Sequence, residues 1–259
     1  GQCRATNYVA LIKKALIAAG YEDIPVVTIS SSSKLNKQPG FKLRMEKYID
    51  VIFVCMICAD CLSQFYHSTA PRESQKGEAE KLKGKYIDLG IQTLRENNAK
   101  NFFRLAEMAS NEFSAVNNRK DIPQIGIVGE IYVKYNDFGH KHIVKWLIEQ
   151  GVEPVVPPLS KFFIANIASN AARVQGNIKP QVIPRFTLNL LKDIVYKIIR
   201  KMESCITKYP YYIPFSNVFD DAKNASKIIN LNAQFGEGWR IAAEFAEFVR
   251  HNINNVVSL

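Results

Sequence analysis

Three cysteines at a spacing of three residues are the first feature of the chain that could do chemistry. Cys55, Cys58 and Cys61 occur in the run VCMICADCLSQF, and a CxxCxxC run can supply thiolates to an iron–sulfur cluster. The same spacing also puts three side chains along one side of a helix. Their neighbours are mostly apolar, and no glycine or proline opens the loop that a cluster-binding run needs. We therefore predict that the three cysteines are helical, largely buried and free of metal.

Two histidines form a second candidate for metal chemistry. His140 and His142 occur in the run GHKH, and Asp137 is the nearest further residue of a ligand type. Because a zinc site needs at least three protein ligands, the favoured interpretation is a loop that leads into a helix, with a metal pair as the alternative. The runs GxGxxG, GxxxxGK[ST], GxSxG and HExxH do not occur in the sequence.

Charge and composition narrow the classes of partner. The net charge of +10 is typical of a solvated basic surface and also of a protein that attracts phosphate-bearing ligands. The basic residues are scattered, without a stripe interleaved with aromatic residues, so nucleic acid is not an expected partner. No run reaches the roughly 20 apolar residues of a membrane span, and Asp60 interrupts the longest one, so no membrane partner is expected either.

The cysteine count bears on the cellular compartment of the protein, and the two chain ends bear on the length of the natural polypeptide. Five cysteines, an odd number, without a visible secretory signal favour reduced thiols and a cytoplasmic protein. The sequence starts at Gly1 without a Met and stops at Leu259 within a strand-like run. We expect it to be a fragment of a longer polypeptide.

The elements that must position these residues centre on residues 122–159. Residues 125–133 are apolar and β-branched, residues 140–150 have helical spacing, and residues 152–156 form a second apolar run closed by two prolines. This order predicts a βαβ unit whose two strands pair in parallel. Ligands of such sheets meet the loops at the carboxyl ends of the strands, so residues 130–142 are the predicted ligand edge.

The rest of the chain repeats the order of helix then strand. A helix at residues 8–19 precedes a strand at 24–29, and a helix at 240–250 precedes a strand that starts at Val256. Amphipathic helices are predicted at residues 41–64, 77–97, 101–113, 159–171, 186–208 and 218–229. The predicted fold class is α/β, with Rossmann-like parallel sheets in one or two lobes and several long helices. The predicted domains are residues 1–121 and 122–259.

Several runs resemble one protein family. The run GIVGEIYVKYNDFGHKHIVKWLIEQGVEPVVPP is similar to the strand–loop–helix of proteins related to 2-hydroxyglutaryl-CoA dehydratase and its activator, the CoA-substrate-specific enzyme activases. GQCRATNY and FGEGWRIAAE resemble the family's GPC-containing start and its GEG loop. The chain departs from the family at Gln2, Ala5, Thr6, Gly139 and His140, all in loops. The ATPase module of the activators has no counterpart in this sequence.

The resemblance implies a domain like the dehydratase subunits, in which cysteine thiolates hold a [4Fe–4S] cluster. Cys3 matches the cysteine of the GPC run, and Arg4 beside it would favour the thiolate. The other ligands would lie outside this sequence. By the same resemblance, the ligand edge would be formed by Arg4, Glu130, Tyr132, Asn136, His140, Gly236, Glu237 and Gly238.

A cluster held by Cys3 would face Glu130, Tyr132 and Asn136 across a cleft. Glu130 would either orient a ligand hydroxyl or cap the helix expected near Asp137.

Two functions from different classes follow from the resemblance. The first is an iron–sulfur domain in the reductive activation or dehydration of 2-hydroxyacyl-CoA-type substrates, with an activator ATPase module or dehydratase subunits as partners. The second is a non-catalytic scaffold or binding lobe that docks an activator ATPase or an acyl-CoA.

Overall fold

The structure, a computed structural model, describes residues 8–26, 47–178, 180–233 and 237–259. The chain divides into two compact units, Gly1–Tyr48 and Ile49–Leu259. The predicted boundary between residues 121 and 122 falls inside the second unit. Cys3, Arg4, Gly236 and residues 27–29 of the strand predicted at residues 24–29 lie outside the described residues, and residues 24–26 of that prediction are not in a strand.

In the first unit, the helix predicted at residues 8–19 is confirmed as α1 (Tyr8–Ala18). Gly20 follows it with a φ of 77°, the left-handed conformation in which glycine commonly ends a helix.

In its described part, the second unit is a mixed α/β structure in which helices predominate. Its helices are α2 (Ile49–Thr69), α3 (Glu78–Arg95), α4 (Ala99–Val116), α5 (Ile131–Lys134), α6 (Ile143–Glu149), α7 (Leu159–Gln175), α8 (Arg185–Cys205), α9 (Val218–Ala225) and α10 (Gly238–Arg250). Its strands are β1 (Gln124–Val128), β2 (Glu153–Val155) and β3 (Val256–Ser258).

Among the described residues, the three strands form one parallel sheet in the order β2-β1-β3. Ile125 lies opposite Pro154 of β2, and Ile127 lies opposite Val257 of β3. The predicted parallel pairing of the two strands of the βαβ unit is therefore confirmed. On its other side β1 pairs with β3, which is distant in sequence.

The predicted length of β1 is wrong, because the strand ends at Val128 rather than at residue 133. Gly129 follows with a φ of 147°, which a residue with a side chain rarely adopts. The Glu130 carboxylate then accepts hydrogen bonds from the backbone N–H groups of Tyr132 (2.8 Å) and Val133 (3.3 Å). These bonds satisfy donors at the start of α5, so the apolar run IYV continues as a helical turn.

Helix α2 is the centre of the core. It packs against α3, α4, α7, α8 and β2, and its buried residues include Ile57 and Phe65. By length and composition alone, the segment Ile49–Arg72 could cross a membrane, and it is the one such segment found in the described part of the chain. Its buried side chains lie in the core with those of α4 and α8, as expected for a core helix of a globular domain.

Asp60 joins α2 to the sheet side of the unit. Its two carboxylate oxygens accept hydrogen bonds from Leu159 N (2.8 Å) and Ser160 N (2.9 Å), at the start of α7. The prolines before α7 offer no capping side chain, so a residue of another helix caps it. Burial raises the pKa of Asp60 to about 6, although the hydrogen bonds from Ser160 and Leu159 oppose this shift.

Candidate functional site

The structure brings together two of the runs that carry the predicted ligand edge. Lys134, at the end of α5, forms a 2.5 Å ion pair with Glu244 of α10. Glu237 precedes α10, and Glu130 lies close enough for its charge to contribute to the raised pKa of Glu237, whose largest cause is burial. The residue after the VGEIYV run therefore contacts the helix that follows the GEG run, although over 100 residues separate them.

The side chain of Glu130 has a structural role in its own turn. Its carboxylate caps a helix, as one of the two interpretations of the sequence expects, but that helix is α5 rather than one beginning near Asp137. Tyr132 is exposed on α5.

Asn136 and His140 are held within their own loop. The Asn136 side-chain oxygen accepts a hydrogen bond from Gly139 N at 3.1 Å. His140 is buried, its Nδ1 accepts a hydrogen bond from Ile143 N at 3.2 Å, and its Nε2 lies 3.3 Å from an Asp137 carboxylate oxygen. These contacts order the turn that leads into α6.

Gly238 is required by packing. A Cβ atom on this residue would collide with the backbone carbonyl of Ala233, which also accepts a hydrogen bond from Trp239 N. Glu237 before it has a φ of 67°. The close approach and the left-handed residue together fix the entry into α10.

A small cavity with both charged and apolar residues in its lining, which we call the edge cavity, lies where α5, α7 and α10 meet. Its volume is about 30 Å³, enough for one or two water molecules and too small for an organic substrate. Its charged lining residues are Lys134, Lys161, Asp221, Glu237, Arg240 and Glu244. Trp239 Nε1 and Glu244 Oε2 are buried without a hydrogen-bond partner among the described residues, and both side chains line the cavity.

Most of the charges in and beside the edge cavity are paired with one another. Lys161 forms ion pairs with Asp221 (2.8 Å) and with Glu247, and Arg250 binds the other oxygen of Asp221 at 2.7 Å. Burial alone would lower the pKa of Lys161, but the charges of Glu247 and Asp221 outweigh it and raise the pKa above its ordinary value. This network links α7, α9 and α10.

A much larger opening, which we call the groove, lies between α2, α3 and α6. Its volume is about 720 Å³, within the roughly 300–1,000 Å³ of small-molecule sites. Its polar and charged lining residues are Ser63, Tyr66, His67, Glu73, Lys76, Glu80, Lys83, Asp137, His142, Lys145 and Glu149. Its larger apolar lining residues are Leu62, Ile87, Val144 and Ile148.

Tyr66, Glu80 and Lys83 form a connected group in the groove. Lys83 Nζ lies 2.9 Å from a Glu80 oxygen and 4.3 Å from the centre of the Tyr66 ring. Partial burial raises the pKa of Glu80, but the hydrogen bond from Tyr66 and the charges of Lys83 and Lys145 outweigh it and bring the pKa below its ordinary value. Glu80 is therefore ionised near pH 7, and the charge of Lys83 lies beside it.

His67 is a partly buried titratable group of the groove wall. Burial and, to a smaller extent, the nearby charge of Lys83 lower its pKa to about 4, and the charge of Asp137 acts in the opposite direction. Its imidazole is therefore neutral near pH 7, with one nitrogen able to donate and the other able to accept a hydrogen bond. Within the described part of the chain, no protein group hydrogen-bonds to this ring.

The cysteines of α2 are helical, as predicted, with Cys58 and Cys61 fully buried and Cys55 partly buried. Burial raises the pKa of all three thiols, so the thiolate form that an iron–sulfur cluster requires is disfavoured. These residues do not fit such a cluster. Within residues 8–26, 47–178, 180–233 and 237–259, no group of three or more His, Cys, Asp or Glu residues could hold a metal ion.

In comparisons with known proteins, the chain matches no protein-family model, no curated protein and no solved structure.

The sequence interpretation missed the groove, although a signal for it exists. Ser63, Tyr66 and His67 follow one another at helical spacing on the otherwise apolar α2, and Glu80, Lys83 and Ile87 do the same on α3. Each stripe alone is typical of a solvated helix face. Only the packing of α2, α3 and α6 makes the stripes face one space.

Proposed function

We propose that the chain is part of an iron–sulfur, dehydratase-like domain that acts in the reductive activation or dehydration of 2-hydroxyacyl-CoA-type substrates in the cytoplasm. The observation that carries the proposal is the ion pair of Lys134, just after the VGEIYV run, with Glu244 of the helix that follows the GEG run, beside the parallel sheet. These runs also carry the family resemblance. The contact between these two segments supports a fold like that of the family at the predicted ligand edge. The proposed partners are acyl-CoA and an activator ATPase.

In this proposal the cluster ligand is Cys3. The described cysteines of α2 are core residues, so they leave the ligand function to a cysteine elsewhere. The described residues would then form the part of the domain that surrounds and supports the site.

A second candidate function, a non-catalytic scaffold, is favoured by a different observation. The edge cavity holds only one or two waters, and the charges around it are mostly paired within the protein. A region of this kind stabilises a fold and does not by itself bind a substrate.

Iron and acid-labile sulfide, measured after purification without oxygen from the longest natural form of the polypeptide, test the proposal. We expect Cys3→Ala to lower the iron content and the visible charge-transfer absorbance. Cys205→Ala, at a partly buried cysteine of α8, and Cys58→Ala should leave both unchanged, with circular dichroism reporting the fold of each variant. If Cys3→Ala retains as much iron as the parent, the cluster assignment fails and the scaffold function replaces it.

A further inference from the structure

The first half of α8, residues 185–194, lies at the surface of the second unit. The buried residues of this helix all lie in its second half: Val195, Tyr196, Ile199 and Met202. The first half contributes no side chain to the core. Several large apolar side chains in it and just before it are nevertheless exposed: Val182, Ile183, Phe186, Leu190, Leu191 and Ile194.

Three of these side chains form a line along the helix, which we call the α8 stripe. Phe186, Leu190 and Ile194 follow one another at intervals of four residues, so they lie on one face. Phe186 is 77% exposed, and the other two are about half exposed. Contiguous exposed apolar side chains of this kind mark surfaces that bind another protein or a membrane.

The same part of the chain concentrates positive charge. Although the basic residues of the whole sequence are scattered, residues 173–201 contain seven lysines and arginines and a single acidic residue, Asp193. This short segment supplies most of the net charge of +10. Arg185, Lys197 and Arg200 are exposed, and none of them forms an ion pair with a described residue.

The positions of the basic residues connect them to the α8 stripe. Lys197 and Lys201 follow Ile194 at three and seven residues, so they continue the stripe toward the end of the helix. Arg185 lies at its start. The surface is therefore apolar along the first half of α8 and cationic at both ends of the stripe.

This charge distribution distinguishes two partners that could cover the stripe. In a two-fold pair of chains each copy presents the same face, so the basic residues of one copy would meet those of the other. Like charges that face each other disfavour such a pair. An anionic lipid surface instead offers an apolar interior to the stripe and negatively charged headgroups to the lysines and arginines.

We propose that the first half of α8 binds the surface of an anionic membrane, with Phe186, Leu190 and Ile194 inserted at the boundary between headgroups and acyl chains. The helix lies in the plane of the interface, and Arg185 and Lys197 meet the headgroups. This binding is peripheral, whereas the absence of a membrane partner was expected from the lack of a spanning segment. The proposal does not depend on the iron–sulfur assignment.

Vesicles of phosphatidylcholine with about 30 mol% phosphatidylserine are the probe, and vesicles of phosphatidylcholine alone are the control. In co-sedimentation, the 259-residue chain should bind the anionic vesicles saturably and the neutral vesicles about tenfold more weakly. Salt at about 0.5 M should weaken binding to the anionic vesicles, because it screens the attraction between the charges.

A matched pair of phenylalanines tests the stripe. Phe138, in the turn before α6, is 89% exposed, so it is at least as accessible as Phe186. Phe186→Ser should weaken binding to the anionic vesicles about tenfold, and Phe138→Ser should change it less than about twofold. Leu190→Ser is a second variant of the stripe, for which a loss of binding is also expected.

Two double variants with the same change in net charge test the basic residues. Lys197→Gln with Arg200→Gln should weaken binding to the anionic vesicles about tenfold. Lys81→Gln with Lys141→Gln, at exposed lysines of α3 and of the turn before α6, should weaken it less than about threefold.

Equal binding to both kinds of vesicle, no binding to the anionic vesicles, or equal effects within either matched pair would overturn the proposal. A dimer in size-exclusion chromatography that Phe186→Ser dissociates, without vesicle binding, would assign the stripe to a second copy of the chain instead. The substituted side chains are exposed, so we expect every variant to fold, and circular dichroism checks this.

Discussion

The edge cavity and the groove contain similar residue types and differ in how those residues are used. Around the edge cavity, Lys134, Lys161 and Asp221 are buried and bound to opposite charges. In the groove, Lys76 and Lys145 are exposed and form no ion pair within the described residues. The cavity measures about 30 Å³ and the groove about 720 Å³.

The comparison separates charge that holds the fold from charge that is available to a ligand. A buried ion must be paired because its desolvation costs several kcal/mol, so the partners of Lys161 are fixed parts of the structure. An exposed lysine keeps its water and can exchange that water for a ligand carboxylate at little cost to the fold. The cluster of charged residues most visible in the core is therefore the weaker candidate for a binding site.

Loss of the buried ammonium should give the largest effect on stability. Lys161→Met leaves the buried carboxylates of Asp221 and Glu247 without their shared partner, and we expect the free energy of unfolding to fall by about 3–5 kcal/mol. Lys83→Met, at the partly exposed pair with Glu80, should lower it by less than about 1 kcal/mol. Urea unfolding of the two variants measures the difference, and equal losses would erase the distinction between the two regions.

The pH dependence of stability should show that His67 is partly buried and neutral near pH 7. Its pKa falls from 6.5 to about 4 on folding, so the unfolded chain binds the proton more tightly, and His67 lowers stability as the pH falls from about 6.5 to about 4. His67→Gln should remove up to about 3 kcal/mol of the loss between pH 7 and pH 4.

Asp60 gives the opposite slope in nearly the same pH range. Its pKa rises from 3.8 to about 6 on folding, so its contribution to stability falls as the pH rises from about 4 to about 6. The wild-type profile is therefore the sum of opposed terms, and the test is the difference between wild type and His67→Gln in urea unfolding at each pH. If the stability profiles of wild type and His67→Gln run parallel, the pKa of His67 does not change on folding and the prediction is wrong.

The turn after β1 should tolerate a side chain poorly. Gly129→Ala puts a Cβ on a residue with a φ of 147°, about 2.5 Å from the carbonyl oxygen of Leu259, and we expect a loss of about 1–3 kcal/mol. Gly90→Ala on α3, where no atom lies within 4 Å, should instead stabilise the chain by about 0.5–1 kcal/mol. Thermal unfolding compares the two variants. If Gly129→Ala leaves the stability unchanged, the backbone after β1 can move to accommodate the new side chain.

The smallest effect on stability is expected in the groove. Lys145→Gln should change the free energy of unfolding by less than about 0.5 kcal/mol, because the lysine is exposed and forms no ion pair with a described residue. A clear loss of stability would show that Lys145 supports the fold, and the contrast with Lys161 would then be one of degree.

Local patterns in the sequence were enough to predict most elements of the second unit. The spacing of apolar residues located helices α3, α4, α7 and α8, and the βαβ order predicted the parallel pairing of β1 with β2. The helical, buried state of Cys58 and Cys61 also followed from spacing and neighbours. Each of these features depends on residues close together in the chain, where period and composition carry the information.

The structure showed where β1 ends, although the residues that end it are local: IYV has strand propensity, yet Gly129 and the Glu130 cap turn it into α5. The tertiary structure alone decided which charges are buried and where the large opening lies. Lys161, Asp221 and Glu247 come from three helices, and the groove needs α2, α3 and α6 together. These outcomes depend on contacts between residues far apart in sequence, and burial, which only the folded chain sets, determines whether a charge is paired or left for a ligand.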